Sequence, residues 1–197
     1  MQPAMPSLRL FIALSLPEAL SDAIAVSTAS VRARVPGVRW VAAASLHLTL
    51  VFLGERPGDY PERLAAALRD VCAGVAPFSL TISRPGCFPN AQRPRVLGLG
   101  IAGGAEPLVA LQRAVSGALA REPLAKPDER FSPHLTLGRA PDALDLPSRR
   151  TLGALWTALP LPAFPPIPVT QVLVMRSELS RGGARYTALR ALPLGRR

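Results

Sequence analysis

The tetrapeptide His47-Leu-Thr-Leu50 recurs in this chain as His134-Leu-Thr-Leu137, and this repeat is the strongest indication of the fold. The chain contains 2 histidines, and each begins one copy. In a β-strand, side chains at positions i and i+2 point to the same face. Each copy therefore predicts a strand that buries two leucines and offers an imidazole and a hydroxyl on its other face. If two such strands face each other about a pseudo-two-fold axis, these polar groups line one cleft.

Strands and helices alternate around this repeat. Leu20, Ile24 and Val31 have the spacing of one helix, which Pro17 would begin and Pro36-Gly37 would end. Several strands are joined by connections too short for a parallel crossover, so they must be antiparallel, and the sequence predicts an α+β fold. The other predicted helices span about 61–75, 108–119 and 148–159; the predicted strands span 9–16, 38–41, 46–53, 79–83, 95–101, 131–138, 169–175 and 186–192, with a loop over 85–94 and a polar turn around Gly182-Gly183.

The composition indicates a folded protein with a polyanionic partner. Hydrophobic residues make up 49% and charged residues 18%, which supports one domain over residues 1–197, or two small lobes sharing a core. Lysine and arginine number 23 against 13 acidic residues, and the net charge of +10 attracts nucleic acid or nucleotides. The same excess can reflect a coding bias, since nearly all the cations are arginines in an Ala- and Pro-rich chain.

Several other classes of protein are disfavoured. Two isolated cysteines, Cys72 and Cys87, make neither a disulfide framework nor a zinc site. The apolar run over 10–16 is too short to cross a bilayer, and no signal-peptide cleavage site follows it. We therefore expect a cytoplasmic monomer that needs no membrane, obligate protein partner, metal or cofactor.

The histidine pair predicts acid–base chemistry on a phosphodiester. Histidine titrates near neutral pH, so one imidazole can act as base while the other stays protonated as acid. The hydroxyls of Thr49 and Thr136 can donate hydrogen bonds to the phosphate oxygens, where negative charge develops. A single histidine on a strand is more often structural, but the second copy argues against that interpretation. A metal site is disfavoured, since neither motif contains an acidic residue.

With these motifs the sequence resembles the two-histidine phosphoesterases, and within them the RNA 2′,3′-cyclic phosphodiesterases, once called 2′-5′ RNA ligases. The resemblance spans nearly the whole chain. It implies a two-lobed α+β fold, with mainly antiparallel sheets lining a central basic cleft and helices packed outside. The segments that carry it are 9–14, Leu16-Pro17, Val38-Arg-Trp-Val41, 46–55, Gly86-Cys-Phe-Pro89, 131–139, and Ser177, Gly183 and Tyr186 near the end.

The resemblance also implies a reaction and its residues. A terminal 2′,3′-cyclic phosphate would be hydrolysed to a 2′-phosphomonoester. His47 would be the general acid that protonates the leaving 3′-oxygen, and His134 the base that activates water. Thr49 and Thr136 would hold the phosphate. Because the two motifs are nearly symmetric, only the resemblance assigns acid to one histidine and base to the other.

Further residues are candidates for binding RNA. Arg139 matches an arginine of the family and could neutralise phosphate; strict alternation turns it away from the cleft, so we expect the strand to end at Gly138 and the chain to bend. Phe11 and Phe52 are candidates to stack on a base or to pack in the core. The remaining interpretations are Trp40 as a core residue, Arg39 as a possible contact to the RNA backbone, and Arg93 and Arg95 as a possible extension of the basic groove.

Two other functions remain open from the sequence. The same chemistry run backwards would join RNA ends with a 2′–5′ bond, although hydrolysis dominates in about 55 M water unless the ends are held together. A non-catalytic RNA-binding module would show a broken motif, whereas both motifs are intact. The sequence does not distinguish an oligonucleotide end, a tRNA half in tRNA processing and a small cyclic nucleotide as the substrate.

Overall fold

The computed structural model describes residues 7–35, 37–125, 131–180 and 183–195. Within these residues it contains five α-helices and ten β-strands, and every strand pair is antiparallel, which confirms the predicted α+β class. The helices are α1 (Glu18–Ser27), α2 (Ala29–Arg34), α3 (Tyr60–Ala73), α4 (Ala105–Arg121) and α5 (Leu146–Thr157). The strands are β1 (Ser7–Ser15), β2 (Arg39–Trp40), β3 (His47–Pro57), β4 (Phe78–Leu80), β5 (Ile82–Phe88), β6 (Val96–Ile101), β7 (His134–Arg139), β8 (Ile167–Val169), β9 (Gln171–Ser180) and β10 (Gly183–Pro193).

The main sheet has the strand order β10-β9-β1-β3-β7-β6-β5, and β2 pairs with β7. The two motif-bearing strands, β3 and β7, are neighbours at its centre. Their register, within the described residues, consists of the single pair Leu48 and Leu135. Beyond that pair the edge of β7 is taken by β2, where Trp40 lies opposite Gly138. The sheet therefore divides between β3 and β7 into two halves, and each half carries one histidine motif.

A β-bulge interrupts β3 three residues after its histidine. Thr49 is opposite Ala13 of β1, whereas Val51 is opposite Ile12, so Leu50 is the extra residue. An extra residue in one strand reverses the alternation of side chains that follow it. Both Leu50 and Val51 are consequently buried in β3.

The second motif has a bulge at the equivalent position. Thr136 is opposite Gly98 of β6, whereas Gly138 is opposite Leu97, which makes Leu137 the extra residue of β7. The two motifs are thus alike in backbone conformation as well as in sequence. This equivalence supports the pseudo-two-fold relation between the two strands.

The bulges decide where the residues after each motif point. Phe52 pairs with Phe11, and Arg139 pairs with Val96. Phe11 is two residues from Ala13, the partner of Thr49, and Val96 is two residues from Gly98, the partner of Thr136. Residues two apart in a strand share a face of the sheet, and so do residues paired across strands. Phe52 therefore lies on the face of Thr49, and Arg139 lies on the face of Thr136. Each is the fifth residue after its histidine, so the repeat places an aromatic ring in one half and a guanidinium in the other.

The opposite face of the sheet is the hydrophobic core. The motif leucines are almost completely buried there, with Leu48 and Leu50 1% exposed and Leu135 and Leu137 0% exposed. Helix α4 contacts β3 and α3, and α3 contacts β9 and β10, so both helices cover this face. Strands β4 and β8 form a separate two-stranded sheet. No helix in the described part of the chain has the length and apolarity needed to cross a membrane.

One predicted helix is two helices. Leu20, Ile24 and Val31 are all buried, as their spacing predicted, but α1 ends before Thr28 and α2 begins after it. Thr28 has φ −101° and ψ −2°, and its hydroxyl donates to the Ile24 carbonyl oxygen at 2.9 Å. A hydroxyl bonded back to the preceding turn competes with the regular helix and bends the chain at this point.

The predicted loop over 85–94 is wrong in its first half. Strand β5 continues through Pro85 and Gly86 to Phe88. Strand β5 is at the edge of the sheet, so one of its sides has no partner strand. Proline, which has no N–H to donate, is tolerated in such an edge strand. The predicted strands over 79–83 and 169–175 each cover parts of two strands, and other element ends differ by a few residues. Gly182 of the predicted polar turn and Pro36 lie outside the described residues.

Candidate active site at the centre of the sheet

The four polar side chains of the repeat surround the Leu48–Leu135 pair. If the antiparallel register is continued by one residue on each side of this pair, His47 comes opposite Thr136 and His134 opposite Thr49. Facing side chains in a regular pair have Cβ atoms about 4.5–5.5 Å apart, and an antiparallel pair has a local two-fold axis. All four side chains are half-buried on the face opposite the core. The structure therefore brings the predicted histidines and threonines together.

Both imidazoles have the same orientation and the same hydrogen bond. The Nδ1 atom of His47 lies 2.8 Å from the carbonyl oxygen of Ser45, and Nδ1 of His134 lies 2.8 Å from that of Ser132. A carbonyl oxygen can only accept, so Nδ1 carries the hydrogen and donates it. In the neutral ring Nε2 is then the unprotonated nitrogen. Each histidine can thus accept a proton at Nε2 or, once protonated, donate one from it.

Two aromatic rings hold the imidazole of His47. Its centroid lies 4.8 Å from that of Phe11 and 4.9 Å from that of Tyr186, which meets it edge-on at 79°. Phe11 is only 3% exposed. The prediction that Phe11 stacks on a base is therefore corrected, because its ring has no free face and packs against the imidazole instead. Phe11 positions His47.

One aromatic ring holds the imidazole of His134. Phe88 stacks on it with centroids 4.1 Å apart and an angle of 29° between the planes. Neither Phe88 nor Tyr186 was predicted as a site residue. Both lie in segments that carry the family resemblance, which is the one signal in the sequence that points to them. Their contacts depend on the pairing of distant strands, which has no local pattern.

The environment favours the neutral form of both imidazoles. Burial lowers the pKa of His47 and of His134, and the positive charge of Arg139 lowers both further. The bonds to the Ser45 and Ser132 carbonyls oppose this by stabilising the protonated rings. A bound phosphate anion would supply the missing negative charge, so the substrate itself favours protonation of the acid.

Arg139 lies on the face of the histidines, but for a different reason from the one predicted. Strand β7 does not end at Gly138 but includes Arg139. The bulge at Leu137 returns its side chain to the histidine face, so no bend of the chain is needed. Arg39 is paired with Arg139 and is therefore on the same face. The two exposed guanidiniums form a positive patch beside His134.

Phe52 remains a candidate for stacking on a base. Its side chain is 57% exposed, and the Arg9 guanidinium lies 4.8 Å from the centre of its ring. Trp40, predicted as core, is half-buried and packs against Trp156 with centroids 5.8 Å apart. Arg93 and Arg95 line a separate pocket of about 310 Å³ with Leu144, Leu146 and Arg149, so the structure does not join them to the cleft.

Among the described residues, no three His, Cys, Asp or Glu side chains group as ligands for a metal ion. Burial raises the pKa of Cys72 and of Cys87 to about 11, which keeps both thiols protonated near neutral pH.

Comparison with known proteins identifies a family for this chain. Residues 20–179 match the 2′-5′ RNA ligase superfamily. The RNA 2′,3′-cyclic phosphodiesterase of Methanothermobacter thermautotrophicus is 30% identical, covering 94% of this chain and 98% of that protein; that of Thermus thermophilus is 34% identical, covering 95% and 90%. The crystal structure of Escherichia coli LigT complexed with 3′-AMP matches with a TM-score of 0.72 and 28% identity, covering 96% of this chain and 99% of that chain. The chain therefore belongs to the 2′-5′ RNA ligase superfamily.

Proposed function

We propose that this chain hydrolyses the 2′,3′-cyclic phosphodiester at an RNA end to a 2′-phosphomonoester, with His47 as acid and His134 as base. The observation that carries the proposal is the pair of imidazoles on one face of the sheet, each with Nδ1 bonded to a carbonyl and Nε2 left for proton transfer. Relatives at 30% and 34% identity are named RNA 2′,3′-cyclic phosphodiesterases, which supports the choice of substrate.

The proposed reaction is an in-line displacement at phosphorus. Nε2 of neutral His134 takes a proton from water, and the water oxygen forms a bond to phosphorus. The bond from phosphorus to the 3′-oxygen breaks, and Nε2–H of protonated His47 gives its proton to that oxygen. The product has a 2′-phosphate and a free 3′-hydroxyl. Proton exchange with solvent then returns both imidazoles to their starting states.

In the proposed reaction, Thr49 and Thr136 stabilise the transition state. Each hydroxyl can donate a hydrogen bond to a non-bridging oxygen of the phosphate, one from each side of the two-fold axis. Negative charge on these oxygens increases as the fifth bond to phosphorus forms, so the hydrogen bonds strengthen at that stage. The exposed guanidinium of Arg139 adds a positive charge on the same face.

We further propose that residues 1–197 act as one two-lobed domain and as a monomer. Both motif strands belong to one sheet, and each half of that sheet supplies one histidine and one threonine, so neither half has a complete site alone. The substrate is an RNA with a 2′,3′-cyclic phosphate end or a related nucleotide. A net charge of +10 is complementary to that polyanion.

The test is to offer an RNA with a 2′,3′-cyclic phosphate end and to identify the product. The matched variants are His47→Asn and His134→Asn, because an asparagine amide can still donate to the Ser45 or Ser132 carbonyl but has no titratable Nε2. We expect the wild type to form a 2′-phosphate, and each variant to lose roughly 10²–10⁴-fold in kcat while keeping its Tm. A 3′-phosphate product, or near-normal turnover by either variant, would contradict the mechanism.

A further inference from the structure

A pocket of about 290 Å³ opens beside His47 on the side away from the second motif. We infer that it binds the nucleobase of the terminal nucleotide, an inference that rests on the proposed function. Its wall is made by the end of β1, the first turn of α1, the turn before β3, and strands β9 and β10. The residues used in the argument are Ser15, Glu18, Ser21, Leu173, Met175 and Tyr186, and His47 itself forms part of the wall.

The chemistry places the terminal nucleoside on this side. In an in-line displacement the attacking water and the leaving oxygen lie on opposite sides of phosphorus. The leaving 3′-oxygen belongs to the terminal ribose, and His47 gives it a proton. The ribose and its base must therefore extend toward His47, while His134 and the water occupy the other side. The base would then bind in the pocket beside His47.

The lining suits a base and not a phosphate. Among the described residues that form the wall there is no lysine or arginine, although the chain has a net charge of +10. Leu173, Met175 and the edge of Tyr186 offer apolar surface to the flat faces of a base. Hydroxyls of Ser15 and Ser21 can donate to or accept from its polar edge. Apart from His47, the wall offers phosphate groups no counter-charge, whereas the half of the sheet with the second motif carries exposed arginines.

The size of the pocket limits it to one base. Sites for drug-sized ligands measure about 300–1,000 Å³, and this pocket lies at the lower end of that range. The rest of an RNA chain must therefore leave across the open face of the sheet. Long RNA ends and cyclic mononucleotides would place the same group in the pocket.

Glu18 makes the pocket selective among bases. Apart from His47, which is protonated in the proposed reaction, it is the one charged side chain in the described wall, at the first residue of α1. A carboxylate only accepts hydrogen bonds, so it favours bases with an exocyclic amine, because the N3–H donor of uracil lies between two carbonyl oxygens that repel a carboxylate. Cytosine has such an amine at the position where uracil has a carbonyl. The pocket should therefore prefer a terminal cytidine over a terminal uridine.

The test compares kcat/KM for cytidine 2′,3′-cyclic phosphate with that for the same cyclic phosphate whose base is replaced by hydrogen. We expect the wild type to prefer the cytidine compound by roughly tenfold or more, from the contacts made by one base. Ser15→Leu fills the pocket from an exposed position and should bring this ratio close to one. The control is Val26→Leu, also on α1 but 76% exposed and outside the pocket, which should keep the wild-type ratio.

Each outcome decides the inference. A ratio near one in the wild type, or an unchanged ratio in Ser15→Leu, would overturn it while leaving the hydrolase proposal intact. Hydrolysis of neither compound by the wild type would overturn the proposed function and this inference with it. For Glu18→Gln we expect the preference for cytidine over uridine to fall several-fold. Equal rates on the two nucleotides in the wild type would show that Glu18 does not select the base.

Discussion

Gly98 leaves room for the backbone of the second motif, and Gly98→Ala tests how tightly that motif is positioned. Gly98 lies opposite Thr136. A Cβ atom added to Gly98 would lie 2.6 Å from the Leu135 carbonyl oxygen and 3.4 Å from Cδ2 of His134. Ordinary contact begins at 3.4 Å, so β6 and β7 would have to separate by about 0.8 Å. The atom in conflict belongs to the backbone and cannot rotate away.

The expected result follows from that displacement. Overpacking of this kind costs about 1–3 kcal/mol, which lowers the Tm of a chain of this size by roughly 2–10 °C. A displacement near 1 Å at a reacting group can cost about 10²-fold in rate. We therefore expect kcat to fall by roughly 10- to 100-fold, because β7 carries both His134 and Thr136.

Gly86→Ala is the matched control. Gly86 lies directly opposite Gly98 in the neighbouring strand β5, yet its added Cβ would meet nothing within 4 Å. We expect this variant to keep both Tm and kcat close to those of the wild type. The assays are thermal unfolding and hydrolysis of a cyclic nucleotide. Wild-type kcat and Tm in Gly98→Ala, or equal damage in both variants, would refute the reasoning.

Five further predictions concern the two histidines, the residues near them and the need for a metal. The pKa of both histidines is lowered from the ordinary value of about 6.5. A plot of kcat/KM against pH should therefore be bell-shaped, with its maximum below about pH 6.5. A maximum near pH 8 would contradict this. The unfolded chain binds these two protons at higher pH than the folded chain, so thermal unfolding should show stability decreasing as pH falls below about 6.5. Arg139→Gln should reduce kcat/KM by roughly 10- to 100-fold through loss of a charged hydrogen bond and should raise the pH optimum, whereas an unchanged pH profile would place Arg139 outside the cleft. Phe52→Ala should weaken binding of an RNA of several nucleotides by about 1–3 kcal/mol but not of a cyclic mononucleotide, with a Tm near that of the wild type because the ring is 57% exposed. Activity should survive EDTA, and loss of turnover that added metal restores would reveal a metal requirement.

The local pattern of the chain was enough to predict most of the secondary structure and the two motifs. Alternation in His47-Leu-Thr-Leu50 separates polar from apolar side chains whatever the strand is paired with, because it is a property of any extended backbone. The break between α1 and α2 was missed, since the apolar spacing of Leu20, Ile24 and Val31 continues across Thr28 as it would along one helix. The continuation of β5 from Arg84 to Phe88 was missed because Pro85 and Gly86 usually mark loops, and a strand tolerates them only where it lies at an edge of the sheet.

Alternation within each motif is sufficient to predict that two strands each present an imidazole and a hydroxyl, and the family resemblance extends that to a substrate class. The position of Arg139 on the face of the histidines follows from the fold, since bulges arise from the register between paired strands. The fold likewise brings Phe11, Phe88 and Tyr186 against the two imidazoles. These contacts join strands far apart in the chain, and their geometry is set by strand pairing and packing that no local pattern of residues encodes.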